Sequence, residues 1–209
     1  MRLVLASNNA KKLIELDAVL APLGLELLAQ GRLGIDEAEE PHASFIENAL
    51  AKARHAARAA GQAAIADDSG LCVDALQGAP GVGSAHFAAM TLPVAGREAQ
   101  RLAQDEANNR LLLVRMAGEE NRRARFVSTL VAVRAHDDPE PLVAVGRWHG
   151  HILAEPRGAG GFGFDPLMFI PALGETVAEL GADLKNRHSH RALAARQMLA
   201  LMREVWRLG

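Results

Sequence analysis

The stretch Arg2-Leu3-Val4-Leu5-Ala6-Ser7-Asn8-Asn9-Ala10-Lys11-Lys12 decides the fold class. Its first half is a short apolar run ending in Ser-Asn-Asn, which reads as a buried strand opening into a loop. From Lys11 onward the apolar residues Leu13, Ile14, Leu16, Val19 and Leu20 fit one helical face, and Pro22 with Gly24 closes that helix. Leu25 to Ala29 then reads as a second strand. Strands alternating with helices from the first residues predict an α/β fold built on a sheet.

Working outward, residues 30–43 are punctuated by Gly, Glu and Pro and are expected to form a loop. Ser44-Phe45-Ile46-Glu47 has the pattern of a capping box, in which each end residue satisfies an orphan backbone donor. The Ala-rich helix behind it runs to about Ala60, where Gly61 stops it. Ala63 to Ala66 is a short strand that delivers Asp67-Asp68-Ser69-Gly70 at its end, and residues 77–84 are too rich in Gly and Pro for a regular element. Gly96 and Gly118 bracket a long helix. Two runs rich in Val and Leu, near 124–134 and 142–152, form a hairpin across Asp137-Asp138-Pro139, which makes the sheet mixed. A glycine-dense loop at 156–166 and a terminal helix from Ser189 to Leu208 complete the chain.

The 209 residues suit one ample domain, or two lobes sharing a continuous core. With 49% apolar and 23% charged residues the composition is that of a soluble globular protein rather than a disordered one. A net charge of −2 argues against a general nucleic-acid binder and leaves room for a small anionic ligand served by a few local Lys and Arg residues. Cys72 is the only cysteine, which excludes an intrachain disulfide and a Cys-based zinc site; it sits in the run Gly-Leu-Cys-Val and reads as an inert buried thiol. The N-terminus turns polar too early for a signal peptide, and no apolar stretch reaches the roughly 18 residues of a membrane span. The expected location is cytoplasmic.

Four segments can carry chemistry. Ser7, Asn8, Asn9, Ala10, Lys11 and Lys12 stand where a strand gives way to a helix, a place whose exposed N–H groups favour an anion; the same residues also make an ordinary N-cap with solvated lysines. Asp67 and Asp68 are adjacent carboxylates between apolar runs, which is costly unless positive charge lies close. A magnesium ion, which accepts one or two carboxylates, answers that need, as does a plain turn; Glu37, Glu39 and Glu40 in the preceding loop offer a further ligand. Gly158 to Pro166 contains a formal G-x-G-x-x-G, but it neither follows a first strand nor opens a helix, so it is not a dinucleotide fingerprint. It reads instead as a loop bringing Phe162, Phe164 and Asp165 to a flat ligand, or as a loop anchored in the core by its two rings. Lys185 and Ser189-His190-Arg191 stand at the entry of the last helix, where basic groups oppose the helix dipole unless an acceptor sits beside them. His149 and His151 alternate on a strand without a third metal ligand and read as surface histidines.

Taken together, seven pieces resemble the inosine triphosphate pyrophosphatase family, which acts on dITP and XTP. They are Ser7-x-Asn9-x-x-Lys12, the Glu39-Glu40 loop, Phe45-x-Glu47-Asn48-Ala49-x-x-Lys52-Ala53, Asp67-Asp68-Ser69-Gly70-Leu71, Gly78-Ala79-Pro80-Gly81, Gly161-Phe162-Gly163-Phe164-Asp165-Pro166 and Ser189-His190-Arg191. They run in family order across nearly the whole chain. The resemblance implies a single pyrophosphatase domain over residues 1–209, two-lobed and α/β, with a long twisted mixed sheet flanked by helices, a cleft between the lobes, and a homodimer. It also implies magnesium-assisted water attack on the α-phosphorus of ITP, dITP or XTP, releasing pyrophosphate. Ser7 to Lys12 would bind the triphosphate, Asp68 would be general base and magnesium ligand with Glu40, and Lys12 with Lys52 would stabilise charge on the phosphates. Ser69, Phe162, Gly163, Phe164, Asp165, Lys185, His190 and Arg191 would hold the nucleotide.

Two departures stand out. The family often has Ser-Ala-Arg-Tyr where this chain has Ser84-Ala85-His86-Phe87, and Phe164 replaces a usual tyrosine, the chain having no tyrosine at all. The alternatives are a Maf-type pyrophosphatase of modified pyrimidine nucleotides, whose opening pattern has arginines at Lys11-Lys12, and a nucleotide-binding protein without catalysis.

Overall fold

Strand β1 (Arg2–Leu5) lies between β2 (Glu26–Ala29) and β3 (Ala64–Val73) and runs parallel to both, with Leu3 opposite Leu27 and Leu5 opposite Ile65. Parallel neighbours need crossover connections, and helices α1 (Ala10–Leu20) and α2 (Phe45–Ala60) supply them. There follow α3 (Arg97–Arg115), β4 (Arg123–Val133), β5 (Leu142–Ile152), β6 (Met168–Ile170), β7 (Glu175–Thr176), α4 (Ala182–His188) and α5 (His190–Glu204). The computed structural model describes residues 1–89 and 96–208. The seven strands form one sheet in the order β2-β1-β3-β4-β5-β6-β7. Antiparallel pairing of β6 with β5 and with β7 makes it mixed, as the sequence predicts.

The chain divides into two compact units, one of residues Met1–Ser69, Val127–Arg147 and Asn186–Gly209, the other of Gly70–Phe126 and Trp148–Lys185. In the first, the pleat sends alternate residues to opposite faces. Leu3, Leu5, Ile65, Leu130 and Ala132 pack with Leu16 and Leu20 of α1 and with Ala194, Ala195, Met198 and Met202 of α5. Val4, Ala6, Ala64, Ala66, Val131 and Val133 pack on the other face with Ala49, Ala53, Ala56 and Ala57 of α2. The small alanines recur at helical spacing and let α2 lie close on the strands. In the second unit, Leu112 and Met116 of α3 join Leu71, Val73, Phe126, Trp148, Ile152 and Phe164 in a core of its own.

Some expectations are corrected. The Asp67-Asp68-Ser69-Gly70 segment lies inside the ten-residue β3, not at the end of a short strand. Gly70 lets the strand continue, because a Cβ there would strike the Gly81 carbonyl oxygen and the Ser84 hydroxyl. That hydroxyl accepts the Leu71 N–H at 2.9 Å and donates to Gly81 O at 2.6 Å. Within the Gly- and Pro-rich segment, Gly81–His86 forms a short 3-10 helix rather than irregular chain. Ile14 is 67% exposed, since it lies off the stripe made by Leu16 and Leu20. Asp138 builds the turn between β4 and β5 by accepting the N–H groups of Arg134 and Glu140. Cys72 is buried.

Candidate active site

The alternation that builds the first unit's core also separates the two aspartates. Asp67 follows Ile65 onto the face of α1 and α5, whereas Asp68 follows Ala64 and Ala66 onto the face of α2. Their partners confirm the division.

Asp67 is 1% exposed and fully engaged. Its Oδ2 meets Lys12 Nζ at 2.9 Å and Arg191 Nε at 3.1 Å, while Ser128 Oγ donates to Oδ1 at 2.6 Å and Ser69 Oγ to Oδ2 at 3.2 Å. Burial alone would raise the carboxyl's pKa; Lys12 and Arg191 prevail and hold it well below the usual carboxylate range. Arg191 donates further to Glu15 Oε2 at 2.5 Å and to Ser69 Oγ at 3.2 Å. Burial opposes the guanidinium's charge, but Asp67 and Glu15 outweigh it and hold the pKa above its ordinary value. This explains how a cation sits in the first turn of α5 against the helix dipole: its acceptors are supplied by β3 and α1.

Asp68 lives in a different setting. Its Oδ1 accepts from Lys52 Nζ at 3.0 Å, and the same ammonium reaches Glu40 Oε2 at 2.9 Å. Its Oδ2 is buried without a hydrogen-bond partner among the described residues. Burial raises the Asp68 pKa to about 6, with Lys52 opposing and Glu40 assisting. Burial likewise works against Lys52's charge, but Asp68 and Glu40 hold its pKa above the ordinary lysine value. Half-exposed Glu40 is lowered, because Lys52 outweighs the cost of its partial burial. Asn48, missed as a functional residue in the sequence, pins the loop carrying Glu40: it accepts His42 N–H at 3.0 Å and donates to His42 O at 3.2 Å. Its signal was a polar residue one turn before Lys52 on the otherwise Ala-rich buried face of α2.

At the start of α1, Asn9 is the N-cap; its Oδ1 accepts the N–H groups of Lys11 at 3.0 Å and Lys12 at 3.3 Å, and Ser7 Oγ accepts Asn9 N–H. Two backbone donors expected to face an anion are therefore occupied by the cap. Asn8 Nδ2 reaches Glu37, while Ala10 and Lys11 are exposed. Ser69 and Arg191, expected on the nucleotide, are tied into the Asp67 network, because a buried carboxylate needs every donor within reach. His190 is buried beside them.

The glycine-rich loop belongs to the second unit. Phe162 N–H donates to Asp165 Oδ2 at 2.9 Å, Lys185 Nζ meets that oxygen at 2.6 Å, and the ammonium stands 4.5 Å from the Phe162 ring centre. Phe164, expected to stack on a ligand, is instead 4% exposed and packed in the core, where burial of a whole ring outweighs presenting it. It meets Phe87 edge to face, with centroids 6.5 Å apart. The two phenylalanines noted in the sequence as departures from the resembled family's pattern thus meet each other. His149 and His151 are exposed, and among the described residues no three His, Cys, Asp or Glu side chains gather to hold a metal. Nor does any described helix have the length and apolar character to cross a membrane.

These features define an α/β protein with a mixed sheet, whose strand β3 carries two adjacent carboxylates, one with its pKa depressed and one with its pKa raised. Its sequence matches the Ham1 family over residues 3–201, and the chain belongs to that family. It is 69% identical to a dITP/XTP pyrophosphatase of Methylibium petroleiphilum, over 99% of each chain, and 68% identical to one of Leptothrix cholodnii over the full length of both. Among solved structures, a HAM1 protein from Coxiella burnetii superposes with a TM-score of 0.88 at 36% identity, covering 98% of this chain and 100% of that one. A nucleoside-triphosphatase / dITP/XTP pyrophosphatase from Mycobacterium abscessus gives 0.73 at 39% identity, covering 96% and 97%.

Proposed function

We propose that this chain hydrolyses deaminated purine nucleoside triphosphates, namely dITP, ITP and XTP, to the monophosphate and pyrophosphate. The observation that carries the chemistry is Asp68: a buried carboxylate with a pKa near 6, one oxygen on Lys52 and the other, Oδ2, without a hydrogen-bond partner among the described residues. The relatives named dITP/XTP pyrophosphatase support the substrate class.

In this reading Asp68 takes a proton from water as the water oxygen bonds to the α-phosphorus. The bond from that phosphorus to the bridging oxygen breaks, and pyrophosphate leaves with the electron pair. A base whose pKa approaches neutrality is suited to the transfer. Lys52 and Lys12 offset negative charge on the phosphates. The unpartnered Oδ2 of Asp68 and the half-exposed carboxylate of Glu40 are hard oxygen donors of the kind magnesium takes, and these two residues would hold it. When bound, magnesium supplies positive charge that offsets the triphosphate.

For the base, Phe162 offers a half-buried ring and Lys185 a donor with no acceptor capacity. That favours the 6-oxo group of hypoxanthine or xanthine over the amino group of adenine; sites built on such hydrogen bonds discriminate by roughly 10⁴–10⁵-fold. In this reading the protein is a cytoplasmic homodimer; light scattering on the purified chain checks the dimer. The decisive experiment is a panel of nucleoside triphosphates with magnesium. Pyrophosphate is expected from ITP, dITP and XTP and little from ATP or CTP; orthophosphate as first product would refute attack at the α-phosphorus.

A further inference from the structure

Helix α3 grips the glycine-rich loop of the second unit at a single residue. Asp105 and Asn109 lie four residues apart on α3, so their side chains leave one face of the helix. Asp105 Oδ2 accepts the Gly163 N–H at 2.8 Å, and Asn109 Nδ2 donates to the Gly163 carbonyl at 2.9 Å. The residue gripped has φ +61°, a left-handed conformation that glycine adopts without strain. Just before it, the Phe162 N–H is held by Asp165, which also takes the Lys185 ammonium. The backbone is thus fixed at Phe162 N, Gly163 N and Gly163 O, which leaves the Phe162 ring and the ammonium over it little freedom to move apart.

The helix that does the gripping is itself anchored. Asn108 donates to the carbonyls of Ser84 and Ala85, each at 3.2 Å, and accepts the Ala88 N–H at 2.8 Å; Gln104 donates to Ala88 O at 2.8 Å. Two pairs of polar side chains, interleaved along one stretch of α3, therefore hold two different segments.

We propose that Asp105 and Asn109 are positioning residues for base recognition: by fixing both backbone groups of Gly163 they hold the Phe162 ring and the Lys185 ammonium in register for a flat 6-oxo purine, and so set its affinity and selectivity without touching it. The proposal rests on the assignment of Phe162 and Lys185 to the base. A tie serving stability alone would lower the folded fraction and leave the affinity of the folded protein unchanged; a positioning tie changes that affinity.

The test uses the whole chain with Asp105→Ala, Asp105→Asn, Asn109→Ala and Phe162→Ala, each checked for native circular dichroism. Steady-state kinetics on ITP and ATP with magnesium are paired with calorimetric binding of inosine monophosphate in the absence of metal. Asp105→Ala and Asn109→Ala are expected to raise KM for ITP on the order of ten-fold, with kcat within about two-fold, and to narrow the preference for ITP over ATP. The affinity for inosine monophosphate falls in parallel. Asp105→Asn, which keeps an acceptor oxygen for the Gly163 N–H, recovers most of the loss. Unchanged KM and monophosphate affinity in a folded Asp105→Ala, alongside a raised KM in Phe162→Ala, overturn the proposal alone. If Phe162→Ala also leaves both unchanged, the assignment of the loop to the base falls and takes the proposal with it. Should Asp105→Ala fail to fold, Asn109→Ala decides by the same criteria.

Discussion

Asp67 and Asp68 are neighbours on β3, yet the fold holds one well below the ordinary carboxylate range and pushes the other up to about 6. The cause is the pleat. One side chain meets Lys12 and Arg191, whose charges are nearly in contact with it; the other meets one shared lysine and a competing carboxylate. Two identical residues thereby acquire unequal environments, and the proposed function gives one a structural and the other a chemical role, as paired carboxylates in other sites divide theirs.

The two roles predict opposite outcomes for the two substitutions. Asp68→Asn should nearly abolish pyrophosphate release while leaving circular dichroism native and, near pH 4, the unfolding midpoint close to that of the wild type. Asp67→Ala should instead cost about 3–5 kcal/mol of stability, because it leaves Arg191 buried without its central counter-ion. Denaturant melts and a pyrophosphate assay on both variants check this. A catalytically dead but stable Asp67→Ala beside an active Asp68→Asn would reverse the assignment.

Much of this was legible in the sequence, and what was not has a common origin. The apolar run at Leu3 to Leu5, the cap at Ser44 and the stop at Gly61 are local signals, and the structure follows them. Asp67 to Gly70 looked like the end of a strand because Asp and Gly are poor strand formers. What keeps it in the strand is charge arriving from Lys12, Lys52 and Arg191, which lie 55, 16 and 124 residues away in the chain. Phe164 and Arg191 were visible as residues that matter, but their burial was not, since a motif does not say which of its members face inward. Asp105 and Asn109 carried no local signal beyond two polar residues in a helix. Their meaning appears only once Gly163 is beside them.

The raised pKa of Asp68 predicts a pH dependence in the metal-free protein. A carboxyl that binds its proton more tightly folded than unfolded adds stability at low pH and loses that contribution as pH rises through about 6. The stability of wild type minus that of Asp68→Asn should therefore fall between pH 4 and pH 7, by on the order of 2 kcal/mol. Asp67 works the other way: its depressed pKa stabilises above the ordinary carboxylate range, and that contribution is lost as pH falls below about 4. Urea melts in the presence of a chelator, at intervals across this range, separate the two. A difference that stays flat from pH 4 to pH 7 would remove the unusual environment assigned to Asp68.

The contact between Phe87 and Phe164 makes a last prediction, one that separates core from ligand within the glycine-rich loop. Phe164 is buried among Leu167, Met168 and Val177, so Phe164→Ala should cost about 3–5 kcal/mol through the cavity it leaves. Phe87 is only partly buried and should cost less. Because the rings meet edge to face at 6.5 Å, the two losses should not add. A double-mutant cycle with Phe87→Ala is expected to return a coupling of roughly 0.5–1.5 kcal/mol. KM for ITP in the folded fraction of Phe164→Ala should change far less than in Phe162→Ala, since the first ring is turned into the core and the second stands under Lys185. A Phe164→Ala protein that keeps native stability but loses nucleotide affinity would return that ring to the ligand.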